Sequence, residues 1–152
     1  MSGMATFCTA GQIVFGDGCA ESVGERAKAL GARRVMVVSD PGVERAGLVA
    51  QVRAWLGAAG LSVETYTQVQ PEPSIDAVAA LLAQARAVAP DLLVGLGGGS
   101  SLDCTKAAAM LMTNEGAVED YLGADLVQRR GLPTILMPTT AGTGSEVTPN
   151  AV

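Results

Sequence analysis

The chain reads LLVGLGGGSSLDCTK at residues 92–106, where an apolar run meets three consecutive glycines and then a helix-forming stretch. The run Leu92–Leu96 predicts a buried β-strand, and a helix is expected from about Ser101 to Met112. Glycines at such a junction let the backbone approach a ligand closely, and the free N–H groups that begin the helix favour an anion. Three glycines in succession exceed what a tight turn needs, so the stretch favours a phosphate-binding site over a simple turn.

The glycine stretch matches neither of two common phosphate-binding motifs. Ser100 stands where the dinucleotide fingerprint Gly-x-Gly-x-x-Gly needs its third glycine. A P-loop is excluded because no Gly-Lys-Ser/Thr follows. Asp103 and Lys106 lie three residues apart on the predicted helix, so they can form an ion pair, which we expect at the surface.

Short β-rich runs alternate with longer periodic stretches on both sides of this junction. Besides Leu92–Leu96, the predicted strands are Gln12–Phe15, Arg33–Ser39, Leu61–Tyr66 and Thr134–Met137. Besides Ser101–Met112, the predicted helices are Glu21–Leu30, Glu44–Ala59 and Ser74–Ala89, with a short helical turn at Val118–Leu122. This alternation with short connections predicts right-handed βαβ units. The expected fold class is α/β, a mostly parallel sheet with helices on both faces, in one domain over residues 1–152.

A second candidate segment follows the last predicted strand. Residues 138–148 read PTTAGTGSEVT and hold five hydroxyl side chains and two glycines. Neutral hydroxyls can donate to phosphate, ribose or amide groups without adding charge. An ordinary polar loop is the alternative, but the density of hydroxyls beside a buried strand favours a ligand site.

Asp40 ends the predicted strand Arg33–Ser39 and allows two interpretations. A carboxylate at a strand end can accept both hydroxyls of an adenosine ribose, as in dinucleotide-binding folds. In those folds the acid follows the glycine loop, whereas Asp40 precedes it. Asp40 can equally be a turn former in Asp-Pro-Gly. The residues alone leave both roles open.

The composition excludes several classes of protein. Of 152 residues, 49% are apolar and 16% charged, which excludes an intrinsically disordered chain. Ten basic residues are dispersed against fifteen acidic ones, a net charge of −5, so no nucleic-acid-binding patch is expected. No run is apolar and long enough to span a membrane, and the N-terminus does not resemble a secretory signal. Three cysteines without Cys-x-x-Cys spacing fit a reducing cytoplasm.

The chain contains no histidine. A Ser-His-Asp triad, a Cys-His pair and a metal site that includes histidine are therefore excluded within these residues. The sequence supplies no candidate catalytic residue and no candidate metal ligand.

The two motifs together resemble the iron-containing alcohol dehydrogenase family. The resemblance rests on Gly97-Gly98-Gly99-Ser100-x-x-Asp103-x-x-Lys106 followed by the segment at residues 138–148. The opening Ile13-Val14-Phe15-Gly16-x-Gly18 and the segment Val69–Ser74 are similar to the N-terminal half of the same family. The resemblance covers essentially the whole chain in order. It implies a Rossmann-like fold and an NAD(P)-dependent oxidoreductase that acts on alcohols or aldehydes.

The resemblance also implies a cofactor cleft. Pyrophosphate is expected on Gly97, Gly98, Gly99 and Ser100. Asp103 is expected near the nicotinamide side, and Asp40 on the adenosine ribose, which favours NAD over NADP because of its charge. Further residues expected to line the cleft are Thr139, Thr140, Thr143 and Ser145.

Members of that family hold Fe²⁺ or Zn²⁺ through one Asp and three His in a C-terminal helical domain. Since this chain has no histidine, it resembles the cofactor-binding half alone, truncated before the metal domain and inactive by itself. A homo-oligomer is expected for the full-length enzyme. The alternatives are a stand-alone, non-catalytic nucleotide-binding module and a relative of the glycerol dehydrogenases.

Overall fold

A four-stranded parallel sheet forms the centre of the computed structural model, which describes residues 11–123, 126–148 and 151. The strands are β1 (Arg34–Val38), β2 (Ser62–Tyr66), β3 (Leu92–Gly97) and β4 (Thr134–Pro138). Their order across the sheet is β2-β1-β3-β4, and all three pairings are parallel. These four predicted strands are confirmed to within one or two residues at their ends.

In the part of the chain that the structure describes, five α-helices cover the sheet: α1 (Val23–Ala29), α2 (Pro41–Arg45), α3 (Leu48–Ala58), α4 (Ile75–Val88) and α5 (Gly99–Leu111). Short 3₁₀ helices occupy Cys19–Ser22 and Val118–Tyr121. Helix α4 begins as its sequence predicts, because the Ser74 hydroxyl accepts the Ala77 N–H at 3.3 Å. Among the described residues, no helix combines the length and the apolar character that crossing a bilayer requires.

The hydrophobic core has two halves, one on each face of the sheet. Side chains alternate along a strand, so Val35 and Val37 face one side of β1 and Met36 and Val38 the other. The first pair packs against α1 and α3, and the second against α4 and α5. Fully burying such a side chain contributes about 1.5–3 kcal/mol. The predicted α/β architecture with helices on both faces is confirmed.

The prediction of one helix over Glu44–Ala59 is wrong in its first part, because the structure has two separate helices, α2 and α3, in this region. Helix α2 begins at Pro41, and α3 begins after Gly47, whose φ of +81° is a left-handed conformation that interrupts the helix. The Asp-Pro-Gly stretch is a helix start rather than a break in the chain. Asp40 caps it, and Pro41 occupies the first helical position, where its missing N–H costs no hydrogen bond.

The predicted strand Gln12–Phe15 is also wrong. These residues are exposed, with the Phe15 side chain at 100%, and they lie outside the four-stranded sheet. A strand needs a neighbour to receive its hydrogen bonds, and none of the described strands pairs with this segment. The predicted helix Glu21–Leu30 is shorter than expected, since Glu21 belongs to the preceding 3₁₀ helix and α1 ends at Ala29.

Candidate functional site

The candidate site lies where the strand order changes direction. From β1 the chain crosses outward to β2, and then returns past β1 to β3 and on to β4. The carboxyl ends of β1 and β3 are therefore neighbours, with connections that lead away on opposite sides. Open α/β sheets bind ligands at such a switch point. Asp40 follows β1 here, and Gly97 ends β3.

The turn from β3 into α5 requires glycine at its first position. Gly97 has a φ of +147°, which side chains rarely tolerate. A Cβ atom there would also lie 2.7 Å from Ser101 Oγ and 3.0 Å from Asp40 Oδ2. Gly98 differs, because its φ of −80° and ψ of −176° suit any residue, and a Cβ there would meet Thr140 Oγ1 at 3.4 Å. Backbone strain explains Gly97 but not Gly98.

Helix α5 begins without a side-chain cap. Its N-cap is Gly98, which has no side chain, and its first turn carries no acidic residue. The first hydrogen bond of the helix is that of the Leu102 N–H to the Gly98 carbonyl, at 3.1 Å. The N–H groups before it have no partner in the helix, and they carry the positive end of the helix dipole. This helix start can accept an anion such as a phosphate group.

Close packing brings α5 against β3. A Cβ atom on Gly95 would lie only 2.7 Å from Thr105 Oγ1 and 3.0 Å from Leu136 Cδ2. The glycine thus lets the helix approach the strand. The Ser39 hydroxyl, fully buried, donates to the Leu96 carbonyl at 2.7 Å and joins the ends of β1 and β3. Together these contacts hold the helix start at the switch point.

Asp40 uses its two carboxylate oxygens differently. Oδ1 accepts the N–H groups of Gly42 and Val43 at 2.8 and 3.0 Å and so caps α2. Oδ2 lies on the other side, 3.4 Å from Ser101 Oγ, which donates to it. Asp40 is therefore a helix cap, and the turn expected at Asp-Pro-Gly is the first turn of α2. The second oxygen faces the glycine turn, so the same residue retains an acceptor at the switch point.

The segment of residues 139–148, here called the hydroxyl loop, lies over the same helix start. The Thr139 N–H donates to the Gly97 carbonyl at 2.9 Å. A Cβ atom on Gly99 would lie 3.4 Å from Ser145 Oγ and 3.7 Å from Thr143 Cβ. The structure therefore brings together the glycines and hydroxyls that the sequence singles out: Gly97, Gly98, Gly99, Thr139, Thr140, Thr143 and Ser145.

Asp103 and Lys106 form the ion pair that their spacing predicts, but its expected surface position is wrong. Asp103 Oδ1 and Lys106 Nζ are 2.8 Å apart, and the side chains are only 13% and 12% exposed. Lys106 Nζ also donates to the Ser145 carbonyl at 2.9 Å and to the Thr148 carbonyl at 3.4 Å. The hydroxyl loop covers the pair, which is why a helix-surface position predicted from the sequence is mostly buried.

Two pKa shifts describe the surroundings of the site. The Glu146 backbone N–H, the Thr143 hydroxyl and the Lys106 ammonium lower the pKa of the Glu146 carboxyl. The Thr143 hydroxyl donates to Glu146 Oε2 at 2.8 Å, so this carboxylate stays ionised and accepts. Burial, and secondarily the charge of Asp103, raise the pKa of the Cys104 thiol to about 11. Cys104 therefore stays protonated near neutral pH and is no nucleophile.

The sequence does not predict two residues of the site, Ser101 and Glu146, or the contact of Lys106 with the loop. Lys106 lies seven residues after Gly99, hence on the same face of α5. That spacing is a signal that could have placed it beside the hydroxyl loop. Ser101 and Glu146 carried no comparable signal, since each becomes part of the site only through packing between separate segments.

The described residues of this chain form no metal site. The sequence contains no histidine. Within the ranges that the structure describes, no three or more Cys, Asp and Glu residues lie together in a way that could hold a metal ion. No chemical step is therefore assigned to a metal held by these residues.

The fold and the glycine turn define a Rossmann-like α/β protein with its candidate site at the switch point. The chain matches the family model for iron-containing alcohol dehydrogenase over residues 10–152, and it belongs to that family.

Characterised relatives support this assignment. The chain is 40% identical to a sulfoacetaldehyde reductase of Bilophila wadsworthia, covering 92% of this chain and 36% of that protein. It is 45% identical to a long-chain-alcohol dehydrogenase of Geobacillus thermodenitrificans, covering 88% of this chain and 34% of that protein. The chain thus spans about a third of the length of these relatives.

Comparison with solved structures supports the same family assignment. A 1,3-propanediol oxidoreductase superposes with a TM-score of 0.92 and 34% identity, over 95% of this chain and 38% of that one. A sulfoacetaldehyde reductase from Bifidobacterium kashiwanohense, solved in complex with NAD⁺, gives a TM-score of 0.85 and 32% identity. That match covers 96% of this chain and 39% of the reductase.

Proposed function

We propose that residues 1–152 form the dinucleotide-binding domain of a metal-dependent oxidoreductase that transfers hydride between NAD and a small alcohol or aldehyde. The observation that carries the proposal is the uncapped start of α5, which faces Asp40 across the switch point. Bound NAD would supply the hydride acceptor for alcohol oxidation, or the donor as NADH. The residues of this chain bind and orient that cofactor.

The start of α5 would hold the pyrophosphate. Gly99, Ser100 and Ser101 contribute backbone N–H groups, and the Ser100 hydroxyl adds a donor. Gly98 leaves open the space that a side chain would fill, while its backbone needs no glycine. With a net charge of −5, the chain relies on backbone donors and the helix dipole to attract phosphate.

Asp40 would accept the hydroxyls of the adenosine ribose through Oδ2, the oxygen that does not cap α2. Its charge then disfavours a 2′-phosphate, so NAD is preferred over NADP. Thr139, Thr140, Thr143 and Ser145 would line the rest of the cleft. Asp103, whose carboxylate pairs with Lys106, would lie near the nicotinamide side.

Iron or zinc would be held by residues outside this chain. The proposal also keeps the homo-oligomer and the cytoplasmic setting expected from the sequence. Cys19 and Cys104 are both unpaired, which supports a reducing compartment.

A non-catalytic nucleotide-binding module is the second candidate. The uncapped start of α5 and the Asp40 oxygen that does not cap α2 would serve it equally, because nucleotide binding requires no catalytic group. The two candidates differ in turnover but share NAD binding.

The test is NADH formation by the natural protein that contains these residues, with primary alcohols from methanol to long-chain alcohols and with the metal supplied. Aldehyde reduction by NADH is the reverse assay, and Gly98→Val is the control variant. The proposal predicts turnover that the control lacks. NAD binding without turnover would favour the module, and the absence of NAD binding would contradict both candidates.

A further inference from the structure

Lys106 joins two parts of the candidate site that are distant in sequence. Its ammonium group pairs with Asp103 on the same helix, at 2.8 Å. It also donates to the backbone carbonyls of Ser145 and Thr148 in the hydroxyl loop, at 2.9 and 3.4 Å. A side chain of α5 thus anchors a loop that is distant in sequence. The helix begins at residue 99 and the loop at residue 139, forty residues later.

The anchored loop is the one that covers the uncapped helix start. Gly99, Asp103 and Lys106 share one face of α5 because they are separated by four and three residues. The loop runs along this face: the Thr143 and Ser145 side chains lie beside Gly99, and the Ser145 and Thr148 carbonyls accept from Lys106. Within the loop, the Thr143 hydroxyl donates to Glu146, and the Val147 N–H donates to the Gly144 carbonyl at 3.1 Å.

The side chain of Lys106 is poorly placed to touch a cofactor. It is 12% exposed, and its donors are directed at Asp103 and at the loop carbonyls. Hydrogen bonds from a charged donor contribute more to stability than neutral ones. Because the carbonyls belong to the backbone, the contact depends on the path of the loop and not on its side chains.

We propose that Lys106 is a positioning residue: held by Asp103, its ammonium group fixes the hydroxyl loop against the start of α5 and thereby sets the affinity for NAD without contacting it. The effect on NAD rests on the proposed function. The effect on the loop does not, so the two can be measured separately.

The experiment uses hydrogen–deuterium exchange of the loop amides and NAD calorimetry on the natural protein, with Lys106→Met as the test variant. Lys28→Met is the matched control, since Lys28 is the chain's other lysine and is exposed on α1. The test variant leaves Asp103 buried without its partner, which is strongly destabilising. The double variant Asp103→Asn/Lys106→Met removes that charge in a protein better able to fold. It is read by loop exchange alone, because Asp103 belongs to the proposed cofactor cleft.

The expected result is exchange at residues 139–148 at least tenfold faster, with β1 and β3 unchanged and Lys28→Met like the wild type. The NAD dissociation constant should rise at least tenfold, which corresponds to about 1.4 kcal/mol. The KM for NAD should rise with it, while kcat at saturating NAD stays within about twofold, or about 0.4 kcal/mol.

Weaker NAD binding with unchanged loop exchange would overturn the proposal, because Lys106 would then act on the cofactor itself. Faster exchange with unchanged affinity would overturn it as well, because the loop position would not matter for binding. Wild-type protein that binds no NAD would contradict the proposed function, and with it the effect of Lys106 on affinity. Unchanged loop exchange counts against Lys106 whether or not NAD binds.

Discussion

The Oδ2 atom of Asp40 lies 3.0 Å from the position that a Cβ atom on Gly97 would occupy. The end of β1 and the end of β3 are therefore in contact at the switch point, and only glycine fits between them. The same carboxylate caps α2 through its other oxygen. One residue thus fixes a helix start and presents an acceptor to the glycine turn.

Gly97→Ala and Gly98→Ala should affect stability differently. Alanine at position 97 must adopt a φ of +147° and meets Ser101 Oγ at 2.7 Å, so a loss of about 1–3 kcal/mol or more is expected. Alanine at position 98 keeps an ordinary φ of −80°, and the change should stay within about 1 kcal/mol in either direction. Urea denaturation of both variants measures the difference. Equal losses would show that the Gly97 conformation carries no strain.

Replacing Asp40 should relax the preference for NAD. Two like charges about 4 Å apart repel by about 1 kcal/mol in water and about 4 kcal/mol at an effective dielectric constant of 20. The parent should therefore prefer NAD about tenfold to a thousandfold, at about 1.4 kcal/mol per decade. Asp40→Gly should improve the use of NADP, and it costs the α2 cap only a few tenths of a kcal/mol.

Asp40→Asn is the matched variant, because its side-chain oxygen can still cap α2 while the charge is gone. Steady-state kinetics with both cofactors give kcat/KM ratios for the parent and both variants. Both should shift toward NADP. An unchanged ratio in both would leave Asp40 as a helix cap only.

The raised pKa of Cys104 predicts that the folded protein loses stability in alkaline solution. The unfolded thiol ionises near its ordinary value of 9.0, while burial holds the pKa in the folded protein near 11. The folded state thus keeps a proton that the unfolded state gives up, so the stabilising contribution is complete below pH 9 and is lost as the pH rises to about 11. At about 1.36 kcal/mol per pH unit, the loss is at most about 3 kcal/mol.

The measurement is the free energy of unfolding at a series of pH values across this range, with Cys104→Ala as the comparison. The variant should lose stability less steeply. A smaller slope should remain, since burial, and then the charge of Cys104, raise the pKa of Tyr66 as well. Identical slopes in the two proteins would exclude Cys104 as the source.

Local patterns in the sequence predicted most of the fold. Apolar runs bounded by glycine or proline located all four strands, and Ser74 located the start of α4. The errors arose where contacts between distant parts of the chain, or the conformation of a single residue, determine the secondary structure. Gly47 interrupts a periodic stretch by a left-handed φ of +81°, which the helical spacing does not reveal. Gln12–Phe15 has the composition of a strand but no partner strand among the described residues.

The sequence predicted which residues form the candidate site better than it predicted the contacts between them. The glycines and the hydroxyl loop were evident because each follows a strand that ends at the same edge of a parallel sheet. The burial of the Asp103–Lys106 pair was not, because it depends on a loop some forty residues away. Spacing within one helix fixes which side chains are neighbours, but not what covers them.

The measurement that tests the account most directly is calorimetric titration of NAD into the natural protein and into its Gly98→Val variant. Gly98 is the suitable position because its φ of −80° accepts a side chain, so the fold should survive, as equal melting temperatures would confirm. The account predicts NAD binding by the parent and no measurable binding by the variant, whose side chain fills the space at the uncapped start of α5. An affinity within about twofold of the parent, a change below about 0.4 kcal/mol, would show that the glycine turn is not the phosphate site.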